Sequence, residues 1–138
     1  MAPAPRLLSQ LRGERGDALI EGLLALGLVL LVVAFAGQAI AYVHARDVAE
    51  AAAQDGANDA ATGGAQAGIT RAEQILTAAG GAGAHLHATV STDAGEVTIT
   101  VAGTPPKLFS LPLLLPNIHA SASLPLEQYP ADEQAATP

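Results

Sequence analysis

The stretch RGDALIEGLLALGLVLLVVAF, residues 15–35, decides how the rest of the chain is read. It is apolar enough for a membrane, yet it opens on a glycine, Gly16, and carries a carboxylate, Glu21, five residues later. The apolar run continues to Val43, with Gln38 its one strongly polar residue after Glu21. At about 1.5 Å per residue, a helix over residues 22–43 covers a hydrocarbon core of roughly 30 Å. Arg6, Arg12 and Arg15 precede the run, and Arg46 alone follows it closely. Basic flanks stay on the cytoplasmic side. The expected topology is therefore a single pass through the plasma membrane, with the N-terminus cytoplasmic and the C-terminal part exported.

Three readings compete for this opening. In a plain signal anchor, Glu21 sits at the cytoplasmic interface and reaches water. In a secretory signal peptide, the small-x-small triplet Ala34-Phe35-Ala36 is cut and a soluble protein is released. In a pilin-type leader, a membrane peptidase cuts after Gly16 and the apolar helix is kept. That cut creates an α-amino group on Asp17, with a pKa of about 8 and so mostly protonated at neutral pH. Glu21 then becomes the fifth residue of the mature chain. In a bundle of such helices an unpaired carboxylate in hydrocarbon is costly, and pairing with a neighbour's new ammonium would fix the register between subunits.

The residues that favour the third reading are Arg15, Gly16 and Glu21, the long apolar helix behind them, and the Ala-rich continuation VHARDVAEAAAQDGANDAA. Together they resemble the N-terminal region of the TadE-like family, pilin-like minor subunits or pseudopilins of the tight-adherence (Tad/Flp) pilus apparatus. Farther on, VTITVAG, a proline loop and LPNIHASASLPLEQY are similar to the strand, loop and closing strand of members from high-GC Gram-positive bacteria. The resemblance covers most of residues 14–129. It implies processing at Gly16 and Asp17 by a prepilin-type peptidase. It also implies a register role for Glu21, other pilin-like subunits and an assembly platform as partners, and a place in pilus assembly, secretion or cell adhesion. Two departures stand out: Gly27 where many relatives have proline, and Asp17 as an acidic first mature residue.

Composition narrows the alternatives. The net charge is −7, and the excess lies beyond Val43, where Arg46, Arg71 and Lys107 are the only basic residues. Such a surface repels nucleic acid and anionic lipid. No cysteine is present, which removes disulfides, thiolate metal sites and cysteine nucleophiles. Two Phe, two Tyr and no Trp leave the core to aliphatic side chains and alanine, which bury less area each. No serine stands in a nucleophile elbow and no glycine-rich phosphate loop joins a strand to a helix. The expectation is a non-enzymatic chain with no cofactor, no metal and no small-molecule substrate.

Beyond the membrane run the helix pattern continues through residues 44–62 until Gly63 and Gly64 interrupt it. TRAEQILTAAGG restarts it, with Thr70 and Glu73 at capping-box spacing and Ile69, Ala72, Ile75, Leu76 and Ala79 on one face. Gly80 and Gly81 end it. HLHATVS and EVTITVA then alternate around the turn TDAG, the pattern of an antiparallel hairpin. IHASASLPL supplies a third strand after a loop bearing Pro105, Pro106, Pro112 and Pro116. The expected fold is α+β: a long pilin-like N-terminal helix, a short second helix and a small antiparallel sheet of about three strands. The organisation is a basic leader (1–16), a membrane helix (17–43), an exported Ala-rich helical region (44–80), a small β unit (81–127) and a disordered acidic tail (128–138).

Three further features carry expectations. Small residues recur at every fourth position through Gly37, Ala41, Ala45 and Ala49 and on to Ala65, a spacing that lets helices approach closely. That row is a candidate packing stripe against other subunits, although Ala and Gly are so common here that composition alone produces it. His85 and His87, with His119 on another strand, form the one conceivable metal set, against the simpler reading of a solvated outer sheet face. KLFSLPLLLP concentrates Leu108, Phe109, Leu111, Leu113, Leu114 and Leu115. It is expected to fold back over the open sheet face, the alternative being a loop that touches a partner or the membrane.

Overall fold

No proline stands between Pro5 and Pro105, so nothing in the covalent chain prevents a long helix near the N-terminus. The computed structural model describes residues 6–109 and 115–126, with side chains from residue 16 onward. Its first element, α1, runs unbroken over Arg6–Gly63. It is followed by α2 (Ala65–Ala78), a 3₁₀ turn (Gly80–Ala82), and strands β1 (Leu86–Asp93), β2 (Glu96–Gly103) and β3 (Ile118–Pro125). The fold is α+β, as the patterning predicts. The expected tail, residues 128–138, lies outside the described residues.

The chain divides into two units, Met1–Gln38 and Ala39–Pro138. In the first, the described side chains leave their apolar surface outward. Twelve large apolar side chains from Leu19 to Phe35 are each more than half exposed. The most apolar window of α1 has a mean hydropathy of 2.6 and none of it is buried. Covering a dozen such side chains is worth roughly 20–30 kcal/mol, more than the stability of a typical domain. This one helix is long and apolar enough to cross a membrane.

In the second unit the same helix has a partner within the chain. Ala45, Ala49, Ala52, Ala53, Ala57 and Ala60 recur at helical spacing and are all buried. They join Leu76 of α2 and Val97, Ile99, Val101 and Ile118 of the sheet in one core. The helices meet nearly backbone to backbone. A methyl group built on Gly56 would stand 3.0 Å from the Gly68 carbonyl oxygen, 3.1 Å from Ala72 Cβ and 3.3 Å from Ile99 Cγ2. A core poor in aromatic residues can still close because alanines and glycines let the layers approach.

The sheet order is β1-β2-β3, both pairs antiparallel. Its inward rows are Leu86–Gly103–Ile118, Ala88–Val101–Ala120, Val90–Ile99–Ala122 and Thr92–Val97–Leu124. The opposite face carries His87–Ala102–His119, Thr89–Thr100–Ser121 and Ser91–Thr98–Ser123. Period-two alternation assigns these faces and the residues read from sequence fall where expected. The Thr98 and Ser123 hydroxyls lie 2.6 Å apart across that polar face. The hairpin turns on Ala94 and Gly95, with φ of 49° and 83°. Two consecutive positive φ values are the pattern of a type I′ turn, whose twist matches the strands.

Helix α1 starts at Arg6, so residues 6–16 of the leader are helical. Two local expectations need correction. The second helix starts at Ala65, not at Thr70, and its N-cap Gly64 makes no side-chain cap. Thr70 is mid-helix, and its hydroxyl donates to the Gln66 carbonyl at 2.9 Å. The cause is Gly64: at φ 85° it breaks the helix axis in one residue, and the chain resumes α-geometry at once. Finally, Pro105 is buried, but Leu108 and Phe109 remain 56% and 46% exposed. The described start of the proline loop therefore leaves its large apolar side chains turned outward. Leu111, Leu113 and Leu114 lie outside the described residues.

Candidate processing and assembly site

Gly16, Asp17 and Glu21 all lie on α1. Asp17 and Glu21 are exposed, and Gly16 is half-buried. Four residues apart on a helix, the two carboxylates share a face one turn from each other. As like charges they weaken that turn slightly, and an α-ammonium on Asp17, added beside its carboxylate, would offset that repulsion.

No described residue packs against Gly16 closely enough to require a glycine. A methyl group built on it meets nothing within 4 Å, and the same holds for Gly22 and Gly27. A helix-interior glycine costs about 1 kcal/mol relative to alanine. At Gly56 and Gly68 that cost is offset by close packing, because a methyl on Gly68 would collide with Ala60 and the Gly56 carbonyl. No such contact exists around Gly16 among the described residues. The Gly16–Asp17 peptide bond is within α-helix, so cleavage there would require local unwinding. The glycine lowers the cost of that opening, as does proximity to the helix end.

The small-residue row divides in two. Ala45 and Ala49 are fully buried in the chain's own core, so the packing they provide is intramolecular and not against another subunit. Gly37 and Ala41 are half-buried. Gln38, the polar residue of the apolar run, is 3% exposed and has a bonding partner.

The histidines do not converge. His87 and His119 flank Ala102 on the outer sheet face, two strand spacings or roughly 10 Å apart. His85 precedes β1 and lines a different groove. Among the described residues no group of three His, Cys, Asp or Glu is placed to hold a metal ion. That groove, of about 400 Å³, brings His85 together with Ala41 and His44 of α1 and with Pro106, Lys107 and Leu108. Sequence reading missed this meeting. Its only local trace is Pro105-Pro106, which turns the chain away from β2 without saying toward what.

The chain matches no protein-family model, no curated protein and no solved structure.

Proposed function

We propose that the chain is a minor pilin or pseudopilin-like membrane subunit of the tight-adherence type, structural and not catalytic. Residues 22–43 cross the membrane, a prepilin-type peptidase removes residues 1–16, and the domain after Val43 is exported. Glu21 then sets the register of the mature helix against other pilin-like subunits at the assembly platform. The observation that carries the reading is Gly16: a helix-interior glycine that no described neighbour requires, five residues before a carboxylate at the mouth of an exposed apolar helix. A leader peptidase that needs a small residue at its cutting site would require it.

The unbroken run of α1 through the Gly16–Asp17 bond favours a second reading. In it the chain is uncleaved and presents its small acidic domain to a partner from a single membrane pass. Subunit contact separates the two. The chain has no native cysteine, so Leu23→Cys places one thiol on the exposed helix face. Oxidative cross-linking in native membranes is expected to give oligomers that disappear when Glu21→Ala is added. Oligomers that persist unchanged with Glu21→Ala, or none in the parent, would remove the register role.

A further inference from the structure

We infer that the loop of Pro106, Lys107, Leu108 and Phe109 docks on the outer surface of the lipid bilayer, as a second membrane contact beside the helix. The inference rests on residues 22–43 spanning the membrane. Three observations within the second unit carry it.

The first is depth. Pro106, Lys107 and Leu108 line one groove with Ala41 and His44. Ala41 and His44 bracket Val43, where the apolar run ends, and they differ in height by only about 4.5 Å along a helix. The headgroup layer is roughly 5–8 Å thick on each side of the hydrocarbon core. A loop at this height lies within that layer.

The second is continuity of apolar surface. Leu108 and Phe109 are about half exposed, and Ile40 and Val43 at the end of the run are 70% and 54% exposed. A span that ends at Val43 puts lipid beside Ile40 and Val43, at the height where Leu108 and Phe109 face outward.

The third is charge. Among the described residues after Val43, Arg46 pairs with Glu50 at 2.9 Å and Arg71 with Asp55 at 3.2 Å, while Lys107 is in no ion pair. The unpaired cation sits on this loop, where a lipid phosphate would meet it. The acids of the sheet are at its other end: Asp93 and Glu96 flank the hairpin turn, seven residues along β1 from Leu86. That is about 24 Å, well beyond a Debye length of about 8 Å at physiological ionic strength. Two acids line adjoining grooves: Asp47 with Ile40, Val43 and His44, and Glu73 with Thr77 and Ala84. The loop thus brings apolar side chains and a cation toward the bilayer, while the acids of the sheet lie at its far end.

The test uses the full chain in vesicles of phosphatidylcholine with a minority of phosphatidylglycerol. An environment-sensitive nitrobenzoxadiazole probe is attached to a single cysteine at Phe109, at Val33 in the membrane run, or at Ser123 on the polar sheet face. Phe109 and Ser123 are exposed and Val33 faces outward, so none of the three disturbs a core. The expected result is a blue-shifted Phe109 probe quenched by headgroup-level nitroxide lipid, a Val33 probe quenched by deep nitroxide, and a Ser123 probe unaffected. Lys107→Gln should lower the docked-to-undocked ratio about fivefold, the effect of one basic side chain near an anionic surface. If Val33 is quenched and Phe109 behaves like Ser123, the docking is wrong while the membrane span stands. If Val33 is not quenched either, the span itself fails and the docking fails with it. A Phe109 probe that is blue-shifted yet inaccessible to lipid quencher would mean a protein contact, and quenching of all three probes would mean indiscriminate adsorption. Either result overturns the inference. Leu108→Cys repeats the measurement should the Phe109 label itself perturb the loop.

Discussion

Residues 16–35 and residues 45–60 belong to the same helix and are both built from aliphatic and small residues, yet they are finished in opposite ways. The first segment leaves its leucines, valines and Phe35 outside and its glycines touching nothing. The second buries alanines together with Gly56, which fits against Gly68, Ala72 and Ile99. A helix whose small residues have neighbours has found its partner within the chain. A helix whose large residues have none must find lipid or another subunit. Side-chain size is inverted relative to burial, and that inversion marks which stretch folds by itself and which waits for its surroundings.

Substitutions can break that contrast. The largest effect is expected at Ile99, fully buried under Gly56. Ile99→Ala should cost about 2–5 kcal/mol in urea unfolding of the detergent-solubilised chain, followed by circular dichroism. Leu28→Ala, in the exposed segment, should leave that transition where it is. Equal losses at the two sites would mean that the segments are not different in kind.

The glycines give a contrast of sign. Gly68→Ala forces a methyl into Ala60 and the Gly56 carbonyl and should destabilise by about 1–3 kcal/mol through overpacking. Gly27→Ala meets open space and should be neutral or stabilising by up to about 1 kcal/mol through helix propensity. Thermal melts of the two variants in one detergent compare them directly.

Much of this was legible in the sequence and some was not, for identifiable reasons. The hairpin and β3 could be read because alternation in EVTITVA and IHASAS is local and period two admits one inward face. The start of α2 was misread because Thr70 and Glu73 have cap spacing, while Gly64 alone already resets the chain. The row from Gly37 to Ala65 was legible as a packing stripe but not its partner, since small-residue spacing is the same whether the neighbour is α2 or another subunit. The meeting of Lys107 with His44 joins residues far apart in sequence, and no periodicity encodes it. At the candidate site, sequence supplied Gly16 and Glu21. The structure added that no described residue packs against the glycine.

Two smaller effects sharpen the picture of the self-contained unit. Ala94 holds a left-handed conformation at φ 49°, one that asparagine tolerates better than alanine. Ala94→Asn should therefore stabilise by about 0.5–1 kcal/mol, measured as a shift in the unfolding midpoint. The Arg71–Asp55 pair joins α2 to α1 at 3.2 Å with both side chains nearly half exposed. A double-mutant cycle should give a coupling below about 1 kcal/mol that shrinks further as salt is added.

The most direct measurement is the intact mass of the protein purified from its native membrane. If the exposed segment is completed from outside as a pilin-type helix, the chain begins at Asp17, and Gly16→Leu leaves it uncut. A full-length mass in the unaltered protein would contradict processing and leave a plain signal anchor. A chain beginning at Gly37 would contradict the membrane helix of the mature protein altogether.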